Sequence, residues 1–118
     1  MTTHNFDDLT SAIRSFAQAR DWEQFHTPKN LVMALSVETA ELMEHFQWLT
    51  PDQSTKPDAQ TKLEIAQEIG DVLIYLTRLA DVLDINPLQA AFDKIEINAV
   101  KYPVDKSKGN NTKYDKLR

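Results

Sequence analysis

Two short stretches of this sequence could hold a hard cation. Glu38-Thr39-Ala40-Glu41 and Glu68-Ile69-Gly70-Asp71 each set two acids three residues apart, which on a helix brings the carboxylates one turn apart on one face. Oxygen donors of that kind suit a hard divalent cation. Acids at this spacing usually form a solvated face, so their position relative to apolar residues decides the matter. At about 100° per residue a helix over residues 28–49 lines up Leu31, Leu35, Leu42 and Leu49, and Glu38 falls in the middle of that line. Glu41 and His45 lie on its shoulder. A lone ionised carboxylate in an apolar stripe costs on the order of several kcal/mol, so Glu38 requires a cation, a hydrogen-bonding partner or a water-filled cleft. In the second segment an apolar line of Ile65, Ile69, Val72, Leu76, Leu79 and Leu83 is flanked by Glu64, Glu68, Asp71 and Tyr75. Gly70, costly inside a helix, is expected to permit close helix approach beside the acids.

The elements that must position these acids are readable from punctuation and period. Leu9, Ile13 and Phe16 recur at helical spacing over Phe6 to Arg20, with Asp7 and Asp8 where the N-terminal dipole favours acids. Thr27-Pro28 reads as an N-cap followed by proline at the first helical position, and Pro51 closes a second helix expected over Pro28 to Leu49. Asp52 to Gln60, with Pro57, reads as a loop before a third helix from about Thr61 to Leu83. Asn86-Pro87 repeats the cap, and Leu88, Phe92, Ile95 and Ala99 form a fourth helical stripe ending near Tyr102-Pro103. Strand-like alternation is absent, so the class is all-α, a four-helix-bundle-like fold. The organisation expected is a helical catalytic domain over 1–103 and a lysine-rich tail over 104–118. That tail is too polar to fold alone, and is flexible or ordered by a ligand or neighbour.

Composition narrows the chemistry. The 118 residues make one domain with a modest core that gains from a partner chain. Helix two is apolar around most of its surface, which predicts a homo-oligomer. A net charge of -5 argues against general nucleic-acid binding. No apolar run is long enough to cross a bilayer, and Met1-Thr2-Thr3-His4-Asn5 lacks signal-peptide features, so no membrane association and a cytoplasmic location are expected. Without cysteine there is no thiolate catalysis or sulfur-held zinc, and with two glycines there is no Gly-rich phosphate loop. Bound phosphates must be held through metal and side chains.

The E-x-x-E and E-x-x-D pairs resemble the signature of the MazG-like all-α nucleoside triphosphate pyrophosphatases. The resemblance extends over about Leu9 to Tyr114, through Arg20-Asp21-Trp22-Glu23-Gln24-Phe25-His26, Pro28, Asn30-Leu31, Phe46-Gln47-Trp48, Asp71-Val72-Leu73-Ile74-Tyr75-Leu76, Asn98, Lys101-Tyr102-Pro103 and Lys113-Tyr114, and looks like the dCTP pyrophosphatase branch. It implies hydrolysis of a nucleoside triphosphate to monophosphate and pyrophosphate, magnesium held by Glu38, Glu41, Glu68 and Asp71, and a dimer or tetramer of helical subunits. By the same resemblance Trp22, His26, Asn30, Trp48, Tyr75 and Tyr102 bind the substrate, Asn98 and Lys101 face the phosphates, and Lys113 and Tyr114 close a site, that of a neighbouring subunit included. The bland readings are core packing for the aromatics, a loop hydrogen bond for His26, and a helix-end cation for Lys101. The sequence departs from vertebrate dCTP-hydrolysing relatives at Ile13 and Ala17, which leaves base choice open. A di-iron bundle would need Glu-x-x-His repeats, absent here since Leu42 stands three residues before His45. A non-catalytic interaction module, with the acids as a solvated seam, is the remaining rival.

Overall fold

The computed structural model describes residues 4–118, so the residues Met1-Thr2-Thr3 of the N-terminal reading lie outside it. Among the described residues the regular elements are all helical: α1 (Phe6–Ala19), α2 (Pro28–Glu44), α3 (Pro51–Ser54), α4 (Ala59–Val82), α5 (Pro87–Lys101) and α6 (Val104–Ser107), with 3-10 turns at Glu23–Phe25 and Tyr114–Lys116. They fall into two compact units, one ending at Ile85 and one spanning Asn86–Arg118. No helix among the described residues is long and apolar enough to cross a membrane.

In the first unit α2 and α1 both pack on α4. Each helix starts where a side chain satisfies a free backbone amide: Asn5, Thr27 and Asp58 accept from Asp8, Asn30 and Thr61 respectively. Helices α1 and α4 end in the same way. Asp21 and Asp84 adopt positive φ, 55° each, and the amides of Trp22 and Ile85 reach back to the carbonyls of Ala17 and Ala80 at 2.9 and 2.8 Å. Aspartate is one of the few non-glycine residues that tolerates this left-handed conformation.

Three boundaries differ from the sequence reading. Helix α2 stops at Glu44, five residues early, and residues 45–49 form turns. Leu49 therefore leaves the Leu31 line and is exposed. The expected loop contains α3, closed by a capping box in which Thr50 and Gln53 exchange hydrogen bonds at 3.0 and 3.2 Å. Helix α4 starts at Ala59, ahead of the expected Thr61, with Asp58 of the expected loop as its N-cap. In α1 the core position belongs to Ala17, fully buried, while Phe16 is half-exposed against the edge of Trp22, 5.7 Å between ring centres. The inward face of α4 is rotated toward its acidic flank: Glu68, Val72, Tyr75 and Leu79 are half-buried, whereas Ile69, Leu76 and Leu83 are exposed. A methyl group built on Gly70 would meet nothing within 4 Å, so that glycine does not mediate close approach inside this chain.

Fully buried side chains are few, Leu31 and Thr77 being the largest. On α2 the face turned away from α4 carries Met33, Val37 and Met43, each more than half exposed. At roughly 25 cal/mol per Å2, leaving such side chains in water forgoes stabilisation that a second copy would recover. Sedimentation at micromolar concentration is expected to show a dimer or tetramer, and a monomer would contradict this reading of α2.

In the second unit α5 starts at Asn86, whose side chain accepts from Gln89, and the Tyr102 amide caps its end on the Asn98 carbonyl at 2.8 Å. Beyond Pro103 the chain forms α6, turns at Gly109 with φ 79°, and ends in the 3-10 turn at Tyr114–Lys116.

Candidate metal centre and substrate pocket

Helices α2 and α4 bring acids from separate stretches of sequence to one point. One carboxylate oxygen each from Glu38, Glu41 and Glu68 lies within 4.8 Å of the others. Asp71, exposed one turn along α4, is near enough for its charge to act on both Glu38 and Glu68. The crowding has a clear electrostatic signature. Burial, then the adjoining Glu41 carboxyl, then the charges of Asp71 and Glu68 push the Glu38 carboxyl up to about 7. Glu68 is raised as well, by burial and by Glu41 and Asp71, partly offset by His45, the residue that caps α2.

The buried oxygens Glu38 Oε2 and Glu68 Oε2 have no hydrogen-bond partner in the protein. Orphaned, desolvated carboxylate oxygens are costly. Together with a third acid they form an all-oxygen donor set of the kind hard divalent cations take, so the residues present fit a metal ion. Glu64 faces away from this role in part: it is exposed and accepts from Gln60 Nε2 at 3.2 Å.

The residues expected in the substrate pocket are spread over several surroundings. Trp22 follows the left-handed Asp21 and packs edge-on against Phe16. Asn30 donates from Nδ2 to the Phe25 carbonyl at 3.0 Å, which ties the 3-10 turn to the start of α2. Its side chain is thus engaged in shaping the loop that carries His26. Tyr75 is half-buried on the acidic flank of α4, and Trp48 is 88% exposed in the turn after α2. Trp48 is therefore not a core residue of this chain. His26 accepts at Nδ1 from Arg78 Nε at 3.1 Å, so a loop hydrogen bond is part of its role.

In the second unit Lys101, Tyr102 and Tyr114 form a cluster. The Lys101 ammonium stands 4.7 Å from the centre of the Tyr114 ring, and the two tyrosines meet edge-on at 6.0 Å. This contact orders the tail around Tyr114, next to Lys113. Asn98 keeps its side chain free of the hydrogen bond its carbonyl makes to Tyr102.

Sequence reasoning missed a second polar cluster, formed by Arg14, Arg78 and Asp81. Asp81 accepts a two-pronged contact from Arg14, with Nε at 2.8 Å, and a further hydrogen bond from Arg78 Nη1 at 3.2 Å. The Arg14 contact, ahead of Arg78, holds the Asp81 carboxyl below the usual carboxylate range. The available signal was weak: Arg78 and Asp81 stand three apart on a helix, a spacing shared by many surface pairs.

Residues 33–117 match the MazG-like family. Over 114 residues the chain is 42% identical to dCTP pyrophosphatase 1 of Bos taurus, a match covering 94% of this chain and 67% of that protein. Its identity to dCTP pyrophosphatase 1 of Homo sapiens is 40%, covering 94% and 66% respectively. The chain thus spans about two thirds of the length of these relatives. A solved structure of a pyrophosphatase from Archaeoglobus fulgidus is similar at a TM-score of 0.80 and 43% identity, over 87% of this chain and 96% of that one.

Proposed function

Because the chain belongs to the MazG-like family, we propose that it is a nucleoside triphosphate pyrophosphohydrolase in which Glu38, Glu41, Glu68 and Asp71 hold magnesium and convert a deoxynucleoside triphosphate to the monophosphate and pyrophosphate. The observation that carries the metal site is the meeting of three acids within 4.8 Å, two of them with unpartnered buried oxygens. Magnesium bound there supplies charge neutralisation for the phosphates and a lowered pKa for attacking water. The protein's own part is to present the donor oxygens from two rigid helices and to accept a proton. Water attacks phosphorus in line, one P–O bond forms, and the bond to the pyrophosphate leaving group breaks. The released proton goes to a carboxylate of the cluster, and manganese can take the place of magnesium.

In this reading Trp22, His26, Trp48 and Tyr75 contact the base, Asn98 and Lys101 bind phosphates, and Asn30 and Tyr102 complete the substrate contacts. Lys113 and Tyr114 close a site, and the polar tail over 104–118 serves that closure while 1–103 is the catalytic body. Support for the base side is the exposure of Trp48, an aromatic face left in water, since stacking on a base is worth ~1–3 kcal/mol per ring. The assembly is a homo-oligomer working in the cytoplasm on free nucleotides, with no nucleic-acid or membrane partner. The role that follows is housecleaning of the nucleotide pool.

Pyrophosphate release from a panel of triphosphates, with magnesium and with chelator, tests the activity. Release only with the metal is expected, and none from any nucleotide would leave the interaction module as the better description. Across the panel, dCTP or a 5-substituted relative is expected to have the highest kcat/KM. Stacking cannot distinguish bases, and Ile13 and Ala17 offer no side-chain donors or acceptors, so the margin over other deoxynucleotides is expected to be small. A clear purine preference would overturn the pocket assignment and leave the metal chemistry standing.

A further inference from the structure

Arg78 lies near the C-terminal end of α4, where Thr77, Arg78 and Ala80 are all buried. A guanidinium in such a place must be paired, because it does not lose its proton. It is paired twice: Nη1 donates to Asp81, and Nε donates to His26 Nδ1 at 3.1 Å, across 52 residues of sequence. Asp81 is in turn gripped by Arg14 from α1. Two guanidinium groups and one carboxylate leave this cluster with a net positive charge beside the imidazole.

A guanidinium has donors and no acceptor, so the His26 nitrogen that faces it must carry a lone pair. An imidazolium would set N–H against N–H. The ring proton therefore sits on Nε2. Burial first and the Arg78 charge second hold the His26 pKa below the ordinary histidine value, against a smaller opposing pull from Glu23. A neutral ring with a proton on Nε2 offers one donor, which suits a carbonyl oxygen or an unprotonated ring nitrogen of a base. A charged ring would instead attract any phosphate, whatever the base.

We infer that Arg78, held by Asp81 and Arg14, is a positioning residue that fixes His26 as the neutral Nε2–H tautomer, so that His26 gives the nucleotide a single hydrogen-bond donor. This role rests on His26 lining the substrate pocket, as proposed above.

Nitrogen-15 NMR of histidine-labelled protein reads the tautomer without any nucleotide, and wild type is expected to show Nε2–H for His26 at pH 7. In Arg78→Met the fixed tautomer is lost, the His26 pKa moves up toward the ordinary histidine range, and KM for the preferred deoxynucleotide rises about tenfold with kcat little changed at saturating magnesium. A merely structural Arg78 would lower Tm and leave KM alone. Arg14→Met, a change at an exposed side chain, is the companion variant should Arg78→Met fail to fold, and is expected to shift the His26 pKa and KM in the same direction by less. An Nδ1–H or charged His26 in wild type overturns the role of Arg78, and so does a changed tautomer with an unchanged KM, both leaving the enzyme reading intact. Wild type that releases no pyrophosphate overturns the enzyme reading instead, whatever the tautomer.

Discussion

Glu38→Gln is expected to lower kcat by on the order of 10³-fold or more while the helical circular-dichroism signal is unchanged. The substitution keeps the shape of the side chain and removes the charge from the acid whose carboxyl is most perturbed in the cluster. Asp71→Asn should behave in the same way, through loss of the fourth carboxylate that flanks the three. Two measurements separate binding from chemistry. Calorimetric titration with Mg2+ or Mn2+ is expected to show weakened or absent binding in both variants, and steady-state rates at saturating metal give the remaining turnover. Near-normal rates in both would remove this cluster from the reaction.

The metal-free protein is expected to lose stability as pH rises from about 5 to about 8, with Tm falling by roughly 5 °C or more. The direction follows from proton counting. Glu38 has a folded-state value of about 7 against an ordinary value of 4.5, so between these limits the folded state binds more protons than the unfolded state. Stability therefore declines through that window and levels off above it. Glu68 is shifted in the same direction and adds to the decline. Asp81 and Asp58 act oppositely, since their carboxyls are held below the ordinary value by Arg14 and by the α4 cap, and their contribution disappears as pH falls through their folded values. Stability of the metal-free protein is thus greatest in mild acid. Added magnesium should restore Tm at pH 8 by mass action on the folded state, and Glu38→Gln should flatten the slope and raise the metal-free Tm at pH 8. Thermal scans with and without chelator across this range check all three. A metal-free Tm that rises from pH 5 to pH 8 would contradict the crowding of these acids.

The sequence by itself determined most of what is local. Helical period with the acids Asp7 and Asp8, and the caps at Thr27 and Asn86, are properties of a few adjacent residues, and they marked the starts of α1, α2 and α5. The anomaly of Glu38 within a leucine line was equally legible, because a charge in an apolar stripe conflicts with the period itself. Where α2 stops was not legible: residues 45–49 continue the apolar pattern, and turns after Glu44 compete with one more helical turn on small energies. The left-handed aspartates at Asp21 and Asp84 give no signal as strong as glycine would. Only the tertiary structure decided that α2 and α4 face each other so that Glu38, Glu41 and Glu68 converge, since nothing in the spacing of either pair fixes the rotation of one helix against the other. It alone also decided that Arg78 turns inward to His26 rather than outward to water, because that choice depends on Asp81 and on Arg14, a residue 67 positions from Asp81 that meets it only when α1 packs on α4.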